Sequence, residues 1–412
     1  MPPLHQPRER ALLLLPPVPS PPTYAALQAA YGTCLVTVLQ KLWRSPHRAQ
    51  SSLILDVAVP CPHLYGNLNA PRGPLYETSQ RLVAGLYKLI CVLAAKHSID
   101  AEDAEGVDAR IVLVAYPRDG KLAQTSDHGT VEQDSQGPAV DLHALARCPR
   151  AWETVYSVES EEGEALLKNF LALGPSQRTI TKVRGGIVQV SSTEPLGDPT
   201  NQESVVKNHT SVAVGGTFDH LHIGHKLLLT MFAFVLGRTP SAEDGKHPRS
   251  LTIGITGDEL LKNKKFAEYL ESWRERQQAT HDFLSSMIHL GQPDDGRIHT
   301  EEKTDSGPNG HAVHVTYPSN LVVKYVEIWD PFGPTITDES ISALVISGET
   351  RSGGKAVNDK RQEKGWGPLD VFEVDVLDAD EEDKLDETFQ SKLSSTEIRR
   401  MCSERARPRA HA

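Results

Sequence analysis

The sequence predicts an α/β protein made of two successive units, and two observations lead to this fold class. Short apolar runs alternate with longer amphipathic stretches along the chain of 412 residues. This alternation is typical of strands and helices that pack in layers. A segment rich in Ser, Pro, Gly, Asp and Asn, residues 190–208, has the composition of a linker and interrupts the alternation. We therefore predict an N-terminal α/β domain of unknown role over residues 1–188, a linker over 189–210, a second domain over 211–405 and a tail over 406–412.

Composition and charge exclude several classes of protein. The net charge is −11, so no broad basic surface favours binding of nucleic acid. No stretch reaches the ~18 apolar residues of a membrane span, and the apolar run near the N-terminus is too short for a secretory signal. Five scattered cysteines without a C-x-x-C spacing are expected to be reduced thiols. We expect a cytoplasmic protein without a membrane or nucleic-acid partner.

The first domain shows regular elements but no chemical motif. The predicted strands are Arg10–Leu15, Ser51–Val59, Ala109–Tyr116 and Trp152–Val158, and the predicted helices are Thr23–Trp43, Pro74–His97 and Glu161–Leu173. Asp56, His63 and the pair Asp127–His128 are isolated polar residues. Because nothing pairs with them at a meaningful spacing, we expect them to lie in loops or to be satisfied in the core.

The second domain has the order of a doubly wound sheet. The predicted strands are Ser211–Gly216, Leu251–Thr256, Val313–Tyr317, Ala343–Ser347 and Val371–Val376, and helices are predicted from about Ile223 to Leu236, over Asp258–Leu290, after Gly354 and from near Glu397. Strand–helix alternation of this kind predicts a Rossmann-like, parallel sheet. Two polar stretches, 237–250 and 291–310, are predicted to be surface insertions.

The first strand of this domain is followed by residues suited to binding phosphate. It ends in Gly215–Gly216, then comes Thr217, and Gly224–His225 starts a helix. Ligands of open parallel sheets bind at the carboxyl ends of strands, beside helix N-termini with free N–H groups. His222 and His225 are three residues apart and lie on one side of the helix start. Zinc would need a third Cys or His at a matching spacing, which is missing, so we predict no metal site in the protein.

Four segments resemble one enzyme family. The segment "VGGTFDHLHIGH" (Val214–His225) is similar to the H-x-G-H nucleotidyltransferases, and in its specific form to phosphopantetheine adenylyltransferase of the eukaryotic and archaeal type. The segments "DPFGPT" (Asp330–Thr335), "VISGETRSGGKAVNDKR" (Val345–Arg361) and "KLSSTEIR" (Lys392–Arg399) resemble this family in the same order. Class I tRNA synthetases share the HIGH letters, but here Ser395–Thr396 replaces their lysine-flanked loop. The resemblance covers about half the chain, from Ser211 to roughly Arg405.

The resemblance implies the reaction and the roles of individual residues. The family joins ATP and 4′-phosphopantetheine to give dephospho-coenzyme A and pyrophosphate in coenzyme A biosynthesis, and Mg²⁺ is expected to be carried by the ATP phosphates. The implied catalytic residues are Thr217, His222, His225 and Lys264. Which of Lys262, Lys264 and Lys265 reaches the phosphates stays open. The implied ATP-binding residues are Gly215, Gly216, Thr217, Phe218, Gly224, His225, Arg351, Lys355, Ser394, Ser395 and Thr396.

Two alternatives remain beside this interpretation. The enzyme could transfer a nucleotide to another phosphorylated acceptor, or the chain could be a scaffold that kept the fold without the chemistry. The segment "GETRSGGK" (Gly348–Lys355) does not fit the phosphate-binding loop of kinases, because the residue after Lys355 is Ala356. We therefore expect no fused dephospho-coenzyme A kinase. The acidic run Asp378–Glu387 is expected to be a solvated lead-in to the last helix.

Overall fold

The computed structural model describes ten ranges of the chain. They are residues 9–45, 53–100, 106–122, 136–175, 178–188, 207–238, 248–291, 296–318, 320–375 and 394–406. The chain divides into two compact units, Met1–Asn208 with Met287–Gln292 and His209–Ser286 with Pro293–Ala412. Both units are α/β, which confirms the predicted class. The predicted domain boundaries stay a prediction, because most of the linker lies outside the described residues.

The first unit contains an all-parallel sheet of six strands. Its strands are β1 (Glu9–Leu14), β2 (Leu53–Cys61), β3 (Val107–Ala115), β4 (Ala139–Asp141), β5 (Thr154–Glu159) and β6 (Thr179–Arg184). Its helices are α1 (Tyr24–Trp43), α2 (Gly73–Lys96), α3 (Leu142–Arg147) and α4 (Glu161–Leu173). The strand order is β4-β3-β2-β1-β5-β6. Strand β1 therefore lies in the interior of the sheet, between β2 and β5.

The structure confirms the predicted helices and strands of the first unit, and three short elements were missed. Strand β2 is buried along its whole length, as its continuous apolar run predicts for a strand covered on both faces. Helix α1 begins where the Thr23 hydroxyl accepts a hydrogen bond from Ala26 N, and the Ser160 hydroxyl caps α4 in the same way. The missed elements are β4, α3 and β6. Strand β4 has only three residues and α3 only six, which is too few for a clear helical period. Strand β6 is mostly exposed and lacks the buried apolar run that reveals β1 and β5, which are equally short.

A buried charged cluster crosses the amino half of the first sheet. Asp56 is fully buried, and its Oδ2 accepts hydrogen bonds from Trp152 Nε1 (2.7 Å) and Arg150 Nη1 (3.2 Å). Arg10 Nη1 lies 3.5 Å from the same oxygen. Burial alone would raise the pKa of Asp56, but Arg150 and Arg10 outweigh it and hold this pKa below its ordinary value. These donors satisfy Oδ2 of Asp56, whereas its Oδ1 is shielded from solvent and has no hydrogen-bond partner among the described residues. The expectation that Asp56 is satisfied within the core therefore holds for one of its two oxygens.

The described cysteines form no disulfide. Cys34, Cys61, Cys91 and Cys148 are buried and Cys402 is partly exposed, all as free thiols. Burial raises the pKa of Cys34 to about 12, so this thiol behaves as a small apolar side chain. Among the described residues, every helix is too short or too polar to cross a bilayer.

The second unit contains a mixed sheet of seven strands. Its strands are β7 (Ser211–Gly216), β8 (Arg249–Thr256), β9 (His299–Thr304), β10 (His311–Tyr317), β11 (Leu321–Ile328), β12 (Ala343–Ser347) and β13 (Asp370–Val374). Its helices are α5 (Ile223–Val235), α6 (Trp273–Ile288), α7 (Arg351–Glu363) and α8 (Ser395–Ala406). The order is β13-β12-β7-β8-β11-β10-β9, with β7 in the middle. Strands β13, β12, β7, β8 and β11 pair in parallel.

The prediction of a purely parallel sheet is wrong at one edge of the second unit. Strands β10 and β9 pair antiparallel with β11 and with each other. The sequence analysis predicted one strand at 313–317 and missed β11, which follows β10 after three residues. Strands this close in sequence can only pair as hairpins, which are antiparallel. Strand β9 also lies inside the stretch 291–310 that was predicted to be an insertion.

The predicted long helix Asp258–Leu290 is also corrected. Residues Asp258–Leu261 and Ala267–Tyr269 form short 3₁₀ turns, and α6 begins only at Trp273. Ser272 and Glu275 form a capping box, since Ser272 N donates to Glu275 Oε2 (2.8 Å) and Glu275 N donates to Ser272 Oγ (3.4 Å). This S-x-x-E pattern is visible in the sequence and marks the true start. The lysines 262, 264 and 265 therefore lie in a loop after β8.

Several further predictions fall outside the described residues. They concern Asp127–His128, the linker 189–206, most of the polar stretch 237–250, the acidic run Asp378–Glu387 and the tail 407–412.

Candidate functional site

The loop after β7 is held in an unusual backbone conformation by a buried aromatic ring. Phe218 is fully buried although its φ is 54°, a region that side chains other than Gly rarely adopt. Its ring packs on the His225 ring with 5.4 Å between centroids. A Cβ on Gly216 would lie 3.1 Å from the Phe218 ring, so the second glycine of the strand end leaves room for this ring. The buried Phe218 ring thus anchors the loop after β7 against the start of α5.

Two histidines stack at the start of α5. His222 is the N-cap residue of the helix and His225 lies in its first turn, with 3.9 Å between ring centroids and 24° between ring planes. A side chain at Gly224 would place its Cβ 3.2 Å from the His222 ring, so glycine permits this stack. The structure thus brings together the two histidines that the sequence singled out.

Both histidine rings carry a nitrogen that lacks a hydrogen-bond partner. Nδ1 of His222 and Nδ1 of His225 are shielded from solvent and unpartnered among the described residues. Burial lowers the pKa of His225 to about 4, against the opposing charge of Asp219. Burial, then the neighbouring His225 and Lys226, hold the pKa of His222 well below its ordinary value. Both rings are therefore neutral at pH 7. Unpartnered buried polar atoms cost roughly 1–3 kcal/mol each, and a bound ligand that hydrogen-bonds them would remove this cost.

Asp219 anchors the loop to the last helix. Its side chain is fully buried and forms an ion pair with Arg399 of α8, and its Oδ1 accepts a hydrogen bond from Glu271 N (3.0 Å). The Ser395 hydroxyl donates to the backbone oxygen of Asp219 (2.9 Å). The resemblance pointed to the segments that contain these residues, but gave no role to Asp219 or Arg399.

Arg276 was missed by the sequence analysis and fixes the ends of two central strands. Its guanidinium has no solvent exposure and donates to Thr217 O (2.7 Å) and Thr256 O (2.8 Å), directly after β7 and at the end of β8. It also donates to Glu271 O (3.0 Å) and pairs with Asp258 (2.6 Å). No sequence pattern indicates these contacts, because Arg276 and Thr217 are 59 positions apart.

The three lysines of the loop after β8 are all exposed. Lys262 pairs with Glu259, and the backbone oxygen of Lys265 accepts a hydrogen bond from Arg399 Nε (3.1 Å). Lys264 lies between them. The loop thus contacts α8 beside the Asp219–Arg399 pair, and the choice of Lys264 as the phosphate-binding lysine stays a prediction.

The residues at the start of α8 form hydrogen bonds with other parts of the protein through some of their polar groups. Ser394 is exposed, and its backbone oxygen accepts hydrogen bonds from Glu397 N and Ile398 N. Ser395 donates to Asp219 O, and the Thr396 hydroxyl accepts from Arg399 Nη2 (3.2 Å). The N-terminus of α8 is thereby fixed beside the loop after β7.

Arg351 and Lys355 lie at the carboxyl end of β12, the strand next to β7. Both side chains are exposed. Arg351 donates from Nε to Glu373 Oε2 (2.7 Å), and this contact raises the pKa of the arginine and lowers that of Glu373. Arg361, in the same segment, is buried and donates to the backbone oxygens of Thr335 (2.8 Å) and Gly367 (2.9 Å). Arg361 therefore holds loops in place.

Among the described residues, no group of three or more His, Cys, Asp or Glu side chains is arranged to hold a metal ion. The expectation of no protein metal site stays a prediction.

Comparisons with known proteins agree with the resemblance. Residues 1–190 match the family described as Domain of unknown function (DUF8446). The chain is 31% identical over 254 residues to an uncharacterized protein of Schizosaccharomyces pombe, covering 60% of this chain and 65% of that protein. It is 39% identical over 196 residues to phosphopantetheine adenylyltransferase of Saccharomyces cerevisiae, covering 48% of this chain and 50% of that protein.

A third relative is the phosphopantetheine adenylyltransferase of Thermococcus kodakarensis, with 28% identity over 43% of this chain and 82% of that protein. The chain therefore spans about two thirds or less of the first two relatives' length and most of the archaeal one. The matches of 196 and 179 residues are comparable in length to the region 211–405 that carries the motifs. About half of this chain is thus similar to nucleotidyltransferases.

Proposed function

We propose that the second unit transfers the adenylyl group of ATP to 4′-phosphopantetheine, which gives dephospho-coenzyme A and pyrophosphate. The observation that carries this proposal is the stacked pair His222 and His225, with two unpartnered nitrogens at the carboxyl end of the central strand. Nitrogens of this kind, beside free backbone N–H groups at a helix N-terminus, suit an anionic phosphate chain. The relatives named phosphopantetheine adenylyltransferase support this choice of acceptor.

The chemistry needs charge stabilisation and positioning. An oxygen of the acceptor phosphate attacks the α-phosphorus of ATP, and the bond to the bridging oxygen of pyrophosphate breaks in line. Because the attacking group is already an anion, no general base is required. His225 and His222 would donate to the oxygens of the transferred group, where charge builds up in the transition state. Thr217 and the backbone of Gly215 and Gly216 would bind the same phosphates.

The remaining residues would hold the two ends of ATP. Lys264 and the N-terminus of α8, at Ser394, Ser395 and Thr396, would bind the leaving phosphates. Arg351 and Lys355 would lie near the nucleoside on the β12 side. Mg²⁺ would be carried by the ATP phosphates, where it would keep much of its water. A cytoplasmic location belongs to the same proposal.

The test is pyrophosphate release by the full chain with ATP, Mg²⁺ and 4′-phosphopantetheine. We expect release that depends on the acceptor and falls about 10²–10³-fold in His225→Ala, as for the loss of a donor to a developing charge. His314→Ala is the matched control, since His314 lies in β10 away from the loop after β7, and it should retain full activity.

Two results would contradict the proposal. ATP binding without release would point to another phosphorylated acceptor. Absence of ATP binding would favour a non-catalytic scaffold.

A further inference from the structure

Three hydrogen bonds tie the loop after β7 to the residues that precede α6. His220 N donates to Glu271 Oε2 (2.7 Å), and Glu271 N donates in return to Asp219 Oδ1 (3.0 Å). Nε2 of His220 lies 2.8 Å from Tyr269 O, and because a carbonyl oxygen can only accept, this nitrogen carries the hydrogen. His220 and Glu271 are 51 positions apart, so only the tertiary fold brings the two segments together.

The backbone of this loop needs such support. Phe218 and His220 have φ values of 54° and 46°, a region that only glycine adopts at little cost. Residues in such conformations persist where the surrounding structure fixes them, and they are frequent at functional sites. Phe218 is fixed by the burial of its ring. His220 has 22% of its side chain exposed, so its conformation depends more on the hydrogen bonds of its backbone and its ring.

The position of His220 bears on the stacked histidines of α5. His220 lies two residues before His222, the N-cap residue of that helix. Arg276 fixes the start of the loop through Thr217 O and also donates to Glu271 O (3.0 Å). Glu271 fixes the middle of the loop through His220 N. The path of the backbone from β7 to the stacked rings is thus set at two points, and a shift at the second point would turn both rings.

Glu271 is poorly placed to act as a stabilising residue. Burial, and to a smaller extent the charges of Asp219 and Glu275, raise the pKa of its carboxyl group against the hydrogen bond and charge of His220. The ionised form is therefore less stable here than in water. The side chain is 28% exposed, so water can replace it as the acceptor for His220 N. Loss of the Glu271 side chain should therefore cost little stability, while the loop loses its fixed direction.

We propose that Glu271 is a positioning residue, which directs the stacked histidines toward the transferred phosphate through the backbone of His220. This inference rests on the proposed function, to which it adds a residue that acts through the loop and not on a substrate. The resemblance to the enzyme family gave no role to Glu271 or His220. Because the effect is on geometry, it should appear mainly in the transition state, where a small displacement of a donor is costly, and less in the binding of ATP.

The first test compares kinetic constants of full-length variants. Glu271→Ala should lower kcat about 10–100-fold, with KM for ATP changed less than about threefold. Glu271→Gln should retain most of the kcat, because the amide oxygen can accept the hydrogen bond from His220 N. Glu268→Ala is the matched control, since Glu268 lies three residues earlier in the same segment and is exposed. An unchanged kcat in Glu271→Ala, an equal loss in Glu271→Gln, or a loss explained by a lower unfolding midpoint would overturn the inference.

The second test needs no turnover and follows amide hydrogen exchange of the full chain by mass spectrometry. Peptides that cover residues 217–222 should exchange about tenfold faster in Glu271→Ala than in the wild type, because the His220 amide loses its acceptor. Strands β10 and β11 should exchange equally in both proteins. If exchange behaves in this way but the wild type releases no pyrophosphate, the proposed reaction fails and the hold of Glu271 on the loop stands. If the wild type releases pyrophosphate and the loop exchanges equally in both proteins, this inference alone fails.

Discussion

The two units place similar buried charges at different ends of their strands. In the first unit, Asp56, Arg10 and Arg150 meet one another in the amino half of the sheet. In the second unit, Arg276 and the Asp219–Arg399 pair lie after the carboxyl ends of β7 and β8. The first cluster joins charges to each other, although Oδ1 of Asp56 has no hydrogen-bond partner among the described residues. The second shapes a loop that leaves two histidine nitrogens without a partner. Buried charge therefore holds strands together in the first sheet, and in the second sheet it holds the loops of the candidate site at the carboxyl ends of the strands.

The largest expected effect concerns the charged cluster of the first unit. Asp56→Ala would leave Arg150, which is buried, and Arg10, which is partly buried, without their shared carboxylate, so the free energy of unfolding should fall by about 3–5 kcal/mol. Adenylyl transfer per folded molecule should not change. Chemical denaturation with tryptophan fluorescence measures the first quantity and pyrophosphate release the second. Asp119→Ala is the control, since Asp119 is exposed. If the free energy of unfolding falls by less than about 1 kcal/mol, or if pyrophosphate release per folded molecule falls, the cluster of the first unit does not serve stability alone.

Arg276→Lys tests the claim that the second cluster acts on geometry. Lysine cannot donate to Thr217 O, Thr256 O and Glu271 O from one planar group, so the ends of β7 and β8 should lose their alignment. We expect kcat to fall about 100-fold, or about 2.7 kcal/mol in the activation free energy, with a smaller change in KM for ATP. Arg274→Lys is the matched control, because Arg274 is exposed and pairs with Glu302. A role in stability alone would lower the unfolding midpoint and leave kcat unchanged.

Much of the site loop follows from local sequence, and its supports do not. The bounds of β7 and the start of α5 were predicted because apolar periodicity and the Gly-Gly and Gly-His pairs are local signals. The roles of Arg276 and Arg399 depend on contacts across 59 and 180 positions. From sequence, an arginine in a helical stretch is expected to be exposed to solvent. Arg276 and Arg399 are buried only because of the tertiary fold.

The sheet shows the same limit. Strand β11 has a β-branched run that could have been recognised, but its parallel partner β8 lies about 70 positions earlier, as in the pair Leu321 and Arg249. Pairing over such distances is set by packing, so the attachment of β11 to β8 could not be predicted from the pattern alone. The antiparallel pairs β9–β10 and β10–β11 are local hairpins and follow once β11 is recognised. The capping box at Ser272 was a local signal that would have corrected the start of α6.

The pH dependence of stability should differ in sign between two histidines of the second unit. His225 has a pKa near 4 when folded, below its ordinary 6.5, so the unfolded chain binds more protons between these values. Its contribution is present above pH 6.5 and is lost as the pH falls toward 4. Burial lowers the pKa of His311, but the hydrogen bonds to Glu302 and Glu327 outweigh it and the net pKa is raised. That contribution is present below pH 6.5 and is lost as the pH rises through the folded pKa.

Urea denaturation at pH 5 and pH 8 measures this difference. His225→Gln should stabilise the protein at pH 5 relative to its effect at pH 8 by about 1–2 kcal/mol, because the wild-type imidazole then resists protonation. His311→Gln should show the opposite sign. Equal effects of His225→Gln at both pH values would mean that the fold does not hold His225 neutral. The candidate site would then lack the neutral buried histidine that distinguishes it from the charge cluster of the first unit.

The smallest expected effect concerns Arg351, which either binds ATP or only forms a surface ion pair. Its guanidinium pairs with Glu373, and an exposed pair of this kind contributes little to stability. If Arg351 binds ATP, as the resemblance implies, it must leave Glu373 to do so. Arg351→Gln should then raise KM for ATP roughly three- to fivefold, while Glu373→Gln, which frees the arginine, should lower it by a similar or smaller factor. If KM for ATP rises in Arg351→Gln and falls in Glu373→Gln, Arg351 binds ATP. If KM for ATP is unchanged in both variants, Arg351 forms only the surface ion pair with Glu373.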